Sequence, residues 1–154
     1  FAVVTGASMG IGRAIAEELA SRKHGLVLNS LPGQGLGDLC RKLESDHGVT
    51  VYCAEGDLAK DDGPETLYEF VRNKNLEVDI LVNNAGIGFE GPVEGYTQKQ
   101  TDLMLMLNVR AVTILTTLFM PELKKHDRSY VLNLSSFGCY LPTAYKSIYL
   151  ARKA

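Results

Sequence analysis

A tyrosine and a lysine stand four residues apart in the stretch YLARK, Tyr149 to Lys153. On a helix that spacing puts both side chains on one face, roughly 6 Å apart along the axis. A phenol beside a positive charge can give and take a proton, because the charge draws its pKa down from about 10. The pair alone is a loose pattern that ordinary surface helices also carry. A second stretch, TGASMGIG at residues 5–12, follows an apolar run and opens a run of helical period. In that setting Gly6 can make the sharp exit from a strand, Gly10 can let backbone amides approach a pyrophosphate, and Gly12 can let the helix pack closely on a sheet. The helix amino end would then meet the anion with free N–H groups and a partial positive charge.

The elements that must position these residues are legible as alternating short apolar runs and longer stretches of helical period. Residues 1–5, 26–30, 49–54, 78–83 and 130–134 are expected strands. Residues 11–23, 36–47, 64–73, 98–107 and 109–125 are expected helices, with another beginning near residue 147. The order βαβαβαβααβα, with strands apolar on both faces, implies right-handed crossovers and an α/β fold. Its expected form is a Rossmann-type doubly wound parallel sheet with helices on both faces, in three layers. Residues 32–37 (PGQGLG), 61–64 (DDGP) and 88–95 (GFEGPVEG) read as loops within one dinucleotide-binding domain spanning residues 1–154. Residues 111–120 are strongly apolar, but Arg110 and Pro121 bound them, which favours a buried helix over a membrane span.

Composition excludes several classes of function. The 154 residues carry a net charge of −2, with no lysine or arginine block longer than a pair, so no nucleic-acid or membrane footprint is expected. Cys40, Cys53 and Cys139 have no CxxC spacing and no even count. A disulfide framework or zinc site is therefore not expected, and a reducing, cytoplasmic setting fits best. His24, His47 and His126 form no ligand-spaced cluster, so no metal is expected.

The glycine spacing is TGxxxGxG, not the general GxGxxG, and NNAG follows at residues 83–86, at the end of the fourth expected strand. With these motifs the whole chain resembles the classical short-chain dehydrogenase/reductase family. Residues 79–154 also resemble, more weakly, the branch near fatty-acid elongation ketoreductases and 17β-hydroxysteroid dehydrogenases. The resemblance implies an NAD(P)-dependent carbonyl reductase or alcohol dehydrogenase with catalytic Asn108, Ser136, Tyr149 and Lys153. It implies cofactor contacts from Gly6, Ser8, Met9, Gly10, Ile11, Gly12, Ser30, Asp57, Leu58, Asn84, Ala85 and Gly86, together with Tyr149 and Lys153. Ser136 lies 13 residues before Tyr149, the separation expected in the family, and is preferred to Ser135. Asn108 is expected at the break between the fourth and fifth helices, holding a water that links Lys153 to solvent. A lone aspartate such as Asp57 after a strand is otherwise a common turn former.

The physical demand for these residue types is clear. Hydride transfer to a ketone leaves an alkoxide that must gain a proton, and a phenol can supply it once its pKa falls by about three units, worth roughly 4 kcal/mol. Lys153 would favour the phenolate, and Ser136 would hold the developing oxyanion. Family members usually carry Ser or Thr where Arg152 stands. No acidic residue occurs among Asn29, Ser30 and Leu31 to bind a ribose 2′-hydroxyl and repel a phosphate, which favours NADP(H), with NAD(H) the alternative. Met9, rather than Arg or Lys, weakens that preference. Rival readings are a nucleotide-sugar epimerase or dehydratase and a non-catalytic dinucleotide-binding regulator. By the resemblance, the long helix from Val109 and the helix near Ser147 would pair subunits into a dimer or tetramer. The family's later strands and substrate-binding segment would follow residue 154, so these residues alone are expected to aggregate and to bind cofactor poorly.

Overall fold

The computed structural model describes residues 1–136. The helix expected near residue 147, and with it Tyr149 and Lys153, lies outside the described residues. Five strands form one wholly parallel sheet: β1 (Ala2–Thr5), β2 (Leu26–Ser30), β3 (Val51–Glu55), β4 (Ile80–Asn83) and β5 (Tyr130–Asn133). Their order is β3-β2-β1-β4-β5, so the direction of winding reverses between β1 and β4. Such a switch point opens a crevice at the carboxyl ends of the strands.

Alternation along β1 explains why helices must cover both faces. Ala2 and Val4 point into a core shared with α1 (Gly10–Ser21) and α2 (Leu36–His47), through Ala16, Ala20, Leu39 and Leu43. Val3 points the other way, into a core shared with α3 (Gly63–Arg72) and α5 (Ala111–Leu123). In α5, Ala111, Leu115, Phe119 and Leu123 recur every four residues and are all buried. Phe119 meets Tyr68 of α3 edge-on at 5.0 Å between ring centroids.

One expectation about the helices needs correction. The fourth and fifth helices are not separated by a break: α4 (Gln98–Leu105) runs through a five-residue π-helical turn, Met106–Arg110, directly into α5. The whole stretch Gln98–Leu123 is 26 residues long and apolar enough, by length and composition, to cross a membrane. Its Ala111-to-Leu123 stripe nevertheless packs on the sheet and α3. As expected from the helical pattern over residues 109–125, α5 runs through Pro121 and ends at Leu123. A capping box, Thr97 with Gln100, starts α4.

The cysteines also depart from expectation. Cys40 of α2 and Cys53 of β3 are joined by a disulfide, with Cα atoms 6.4 Å apart. Spacing along the chain carried no sign of this, because the pair is made by helix-on-sheet packing. It removes the argument from cysteine spacing for a reducing compartment.

Candidate dinucleotide-binding site

Above the carboxyl ends of β1, β2, β3 and β4 lies a cleft of about 480 Å3. Its floor is the glycine turn between β1 and α1. Gly6 holds φ 63°, and a side chain there would come within 2.9 Å of both the Ala85 Cα and the Asn84 Nδ2. Glycine is thus required twice over, by backbone conformation and by the close approach of the β4 exit. Gly12 is hemmed in differently: a Cβ would overlap the Gly6 carbonyl oxygen and the Asn84 carboxamide. Gly10 is the opposite case. It holds φ 57°, yet nothing lies within 4 Å of where its Cβ would be.

That open space faces an anion-seeking helix end. Met9 occupies the N-cap position of α1 without a side-chain cap, and the first turn carries no acidic residue. The amino-terminal amides therefore keep their partial positive charge unneutralised. The arrangement fits the pyrophosphate of a dinucleotide, which would be held by α1 amides and the turn at residues 8–12.

Asn84 locks the floor to the centre of the sheet. Its Nδ2 donates to the Thr5 oxygen at 2.8 Å and to the Gly6 oxygen at 3.0 Å. Thr5 Oγ1 donates to the Val82 oxygen and accepts from the amides of Asn84 and Ala85 at 3.0 Å each. Asn83 binds the other neighbour, donating to Asn133 Oδ1 of β5 at 2.8 Å and to Thr116 Oγ1 of α5 at 3.1 Å. The two asparagines of NNAG thus serve opposite sides of one strand end.

Asp57 and Leu58 form the far wall. Asp57 Oδ1 accepts from the Ala59 amide at 2.9 Å, so the residue is a turn former as well as a cleft residue. It is the one charged residue among the described residues lining the cleft. Asn29, fully enclosed beneath, donates to the Ala54 oxygen at 2.8 Å and the Gly56 oxygen at 3.3 Å, which ties β2 to the exit of β3. Ser30 and Leu31 continue the wall, with no carboxylate between them. Glu55 pairs in register with Ser30 but lines an adjoining cleft beside α3.

Of the residues expected to meet a cofactor, Gly6, Ser8, Met9, Ile11, Ser30, Asp57, Leu58, Asn84, Ala85 and Gly86 all line this cleft. Gly10 and Gly12 shape it without lining it. Asn29, Leu31, Gln34, Gly56, Ile87, Leu103 and Leu107 line it without having been expected. The loop motif PGQGLG marked a turn at Gln34, but only the fold shows where that turn is brought. Leu103 and Leu107 gave the signal of an apolar helix face and nothing more.

Asn108 lies in the π-helical turn, 6% exposed. Its Oδ1 accepts from the Ile87 amide at 2.9 Å, and its Nδ2 donates to the Ile87 oxygen at 3.0 Å and the Met104 oxygen at 2.9 Å. Both N–H groups of the carboxamide and one lone pair of its oxygen clamp the chain after Gly86 to the helix. Ser136 follows β5 by three residues, at the same carboxyl edge of the sheet.

The family model described as short chain dehydrogenase matches residues 1–154. A very-long-chain 3-oxoacyl-CoA reductase of Anas platyrhynchos is 32% identical over the whole of this chain and 50% of its own length. The corresponding reductase of Mus musculus is 33% identical with the same coverage. The chain thus spans about half the length of these curated relatives. Among solved structures, L-sorbose reductase from Gluconobacter frateurii, complexed with NADPH and L-sorbose, superposes with a TM-score of 0.92 at 31% identity, covering 99% of this chain and 58% of that one. A short-chain dehydrogenase from Sphingobium yanoikuyae in complex with NADPH gives 0.91 at 30% identity, covering 99% and 59%.

Proposed function

Because the chain belongs to the short-chain dehydrogenase family, we propose that it is part of an NAD(P)-dependent oxidoreductase that reduces a carbonyl or oxidises a secondary alcohol, with NADP(H) preferred. The observation that carries this reading is the uncapped amino end of α1 opening beside Gly10 onto a cleft walled by Asp57 and the Asn84–Gly86 turn. When bound, the nicotinamide supplies or accepts the hydride. Tyr149 donates its phenolic proton to the substrate oxygen in reduction and takes it back in oxidation. Lys153, four residues on in the sequence, stabilises the phenolate, and Ser136 donates a hydrogen bond to the oxygen as charge develops there. Asn108 acts at one remove, fixing the chain after Gly86 through Ile87.

The NADP(H) preference is supported by a β2 exit without a carboxylate in the cleft and by relatives crystallised with NADPH. We also propose a homo-oligomer paired through the helix from Val109, supported by the exposure of Leu105 and Val109 on its outer side. Equilibrium titration of the full-length protein with NADPH and NADH tests the cofactor reading. Binding of NADPH at least as tight as NADH is expected. Failure of both nucleotides to bind would overturn the oxidoreductase reading, and NADH binding about tenfold tighter would overturn the preference.

A further inference from the structure

We infer that Arg110 is a positioning residue for the dinucleotide, bracing the adenine end of the cleft by tying the π-helical turn to the loop between β3 and α3; this rests on the cofactor reading above. A pyrophosphate at the amino end of α1 lies over β1, and the nicotinamide must reach toward Ser136, which follows β5. The adenine half then lies on the other side, toward β3, where Asp57 and Leu58 form the wall. Leu58 packs with Leu107 of the π-helical turn in one apolar cluster, and both residues line the cleft. The width of the adenine end is therefore set by how the loop after β3 sits against that turn.

Apolar contact is non-directional and does not fix that setting to a fraction of an ångström. Arg110, the last residue of the π-helical turn, supplies a directed tie. Its Nη2 donates to the Asp61 oxygen at 2.7 Å, across 49 residues of chain, and lies 3.7 Å from Glu65 Oε1 in the first turn of α3. Asp61 is coupled to the wall by its neighbours. The Lys60 amide donates to the Asp57 oxygen at 3.2 Å and the Gly63 amide to the Lys60 oxygen at 3.1 Å, while a Cβ on Gly63 would overlap the Asp57 oxygen. Two residues before Arg110, Asn108 clamps the same turn to Ile87 on the opposite wall. One guanidinium thus joins the two walls from behind, without lining the cleft itself. Arg110 Nη1 and Glu65 Oε2 are enclosed without a hydrogen-bond partner among the described residues, so removing either side chain would leave the other's charge partly enclosed without its counter-ion.

The test is fluorescence titration of the full-length protein and its variants with NADPH, NADH and reduced nicotinamide mononucleotide, and displacement of NADPH by 5′-AMP. Arg110→Met removes the tie, and Arg110→Met combined with Glu65→Gln removes it while leaving no lone carboxylate to disturb the fold. Each is expected to weaken NADPH, NADH and 5′-AMP alike, by about tenfold, with reduced nicotinamide mononucleotide within about twofold. A merely structural role would not separate the two halves of the cofactor in this way. Arg110→Lys keeps a donor for the Asp61 oxygen and a counter-ion for Glu65, and is expected to restore all three adenine nucleotides to within about threefold of wild type. Circular dichroism establishes that each variant folds. Suppose the wild type binds either dinucleotide, yet the loss variants hold the adenine nucleotides within about threefold, weaken the mononucleotide equally, or are not improved upon by Arg110→Lys. Any of these results makes the assignment of Arg110 wrong and leaves the cofactor reading standing. If the wild type binds neither dinucleotide, both are overturned.

Discussion

Replacing Gly12 by alanine should destabilise the protein although alanine is the better helix former. Gly12 lies in the first turn of α1, where a glycine-to-alanine change would ordinarily gain up to about 1 kcal/mol. Here the added Cβ would overlap the Gly6 carbonyl oxygen and the Asn84 Nδ2. The first is backbone and cannot swing aside. The second is held by donations to the Thr5 and Gly6 oxygens at 2.8 and 3.0 Å. Either α1 lifts from the sheet, an overpacking cost of about 1–3 kcal/mol, or Asn84 is displaced and loses two hydrogen bonds at about 1 kcal/mol each. Because the carbonyl remains in the way after Asn84 moves, both costs apply, and the net loss is about 2–4 kcal/mol. Gly37→Ala provides the matched control, since its Cβ would meet only Arg41 Nη1 at 3.6 Å, in ordinary contact. That variant should be as stable as the wild type or up to about 1 kcal/mol more so. Urea denaturation of the full-length protein measures both, and NADPH titration should show weakened binding for Gly12→Ala alone. If Gly12→Ala is no less stable than wild type while Gly37→Ala behaves as expected, the packing of α1 on the Asn84 lock is not as described.

Further outcomes follow from other contacts. Gly10→Ala should cost about 1–2 kcal/mol in stability from its left-handed backbone and, by filling the open space at the turn, should weaken dinucleotide binding as well; unchanged binding would put the pyrophosphate elsewhere. Asn108→Ala removes three hydrogen bonds, two to Ile87 and one to the Met104 oxygen, and should lose about 2–4 kcal/mol by chemical denaturation, with Asn108→Asp no better because its carboxylate would face two carbonyl oxygens. Tyr149→Phe should lower turnover by about 10²–10⁴-fold with cofactor affinity within a few-fold, and near-wild-type turnover would remove Tyr149 from the chemistry. The Cys40–Cys53 bond closes a loop across a sequence separation of 13, so the oxidised protein should be more stable than the reduced one by up to about 3 kcal/mol in denaturation with and without a thiol reductant. Identical curves would show that the two cysteines do not pair in solution.

Sequence by itself determined the order of elements, the parallel character of the sheet and the place of the glycine turn. Those features are local: apolar runs of strand length, helical periodicity and a left-handed glycine leave marks within a few residues of where they act. Ten of the residues expected to meet a cofactor line one cleft because strand ends in a parallel sheet share an edge, which follows from connectivity alone. What only the tertiary structure decided were contacts between segments far apart in the chain. Gln34 is one of several turn residues in PGQGLG until the fold carries it 26 residues back to Ser8. Asn84 becomes a lock on Gly6 and Gly12, and Asn108 a clamp on Ile87, only when β4 lies beside β1 and the π-helical turn passes under its exit. Cys40 and Cys53 meet because α2 packs on β3. In each case a polar or sulfur group meets partners that the packing of distant segments brings within reach, and the chain carries no short-range record of which partners those will be.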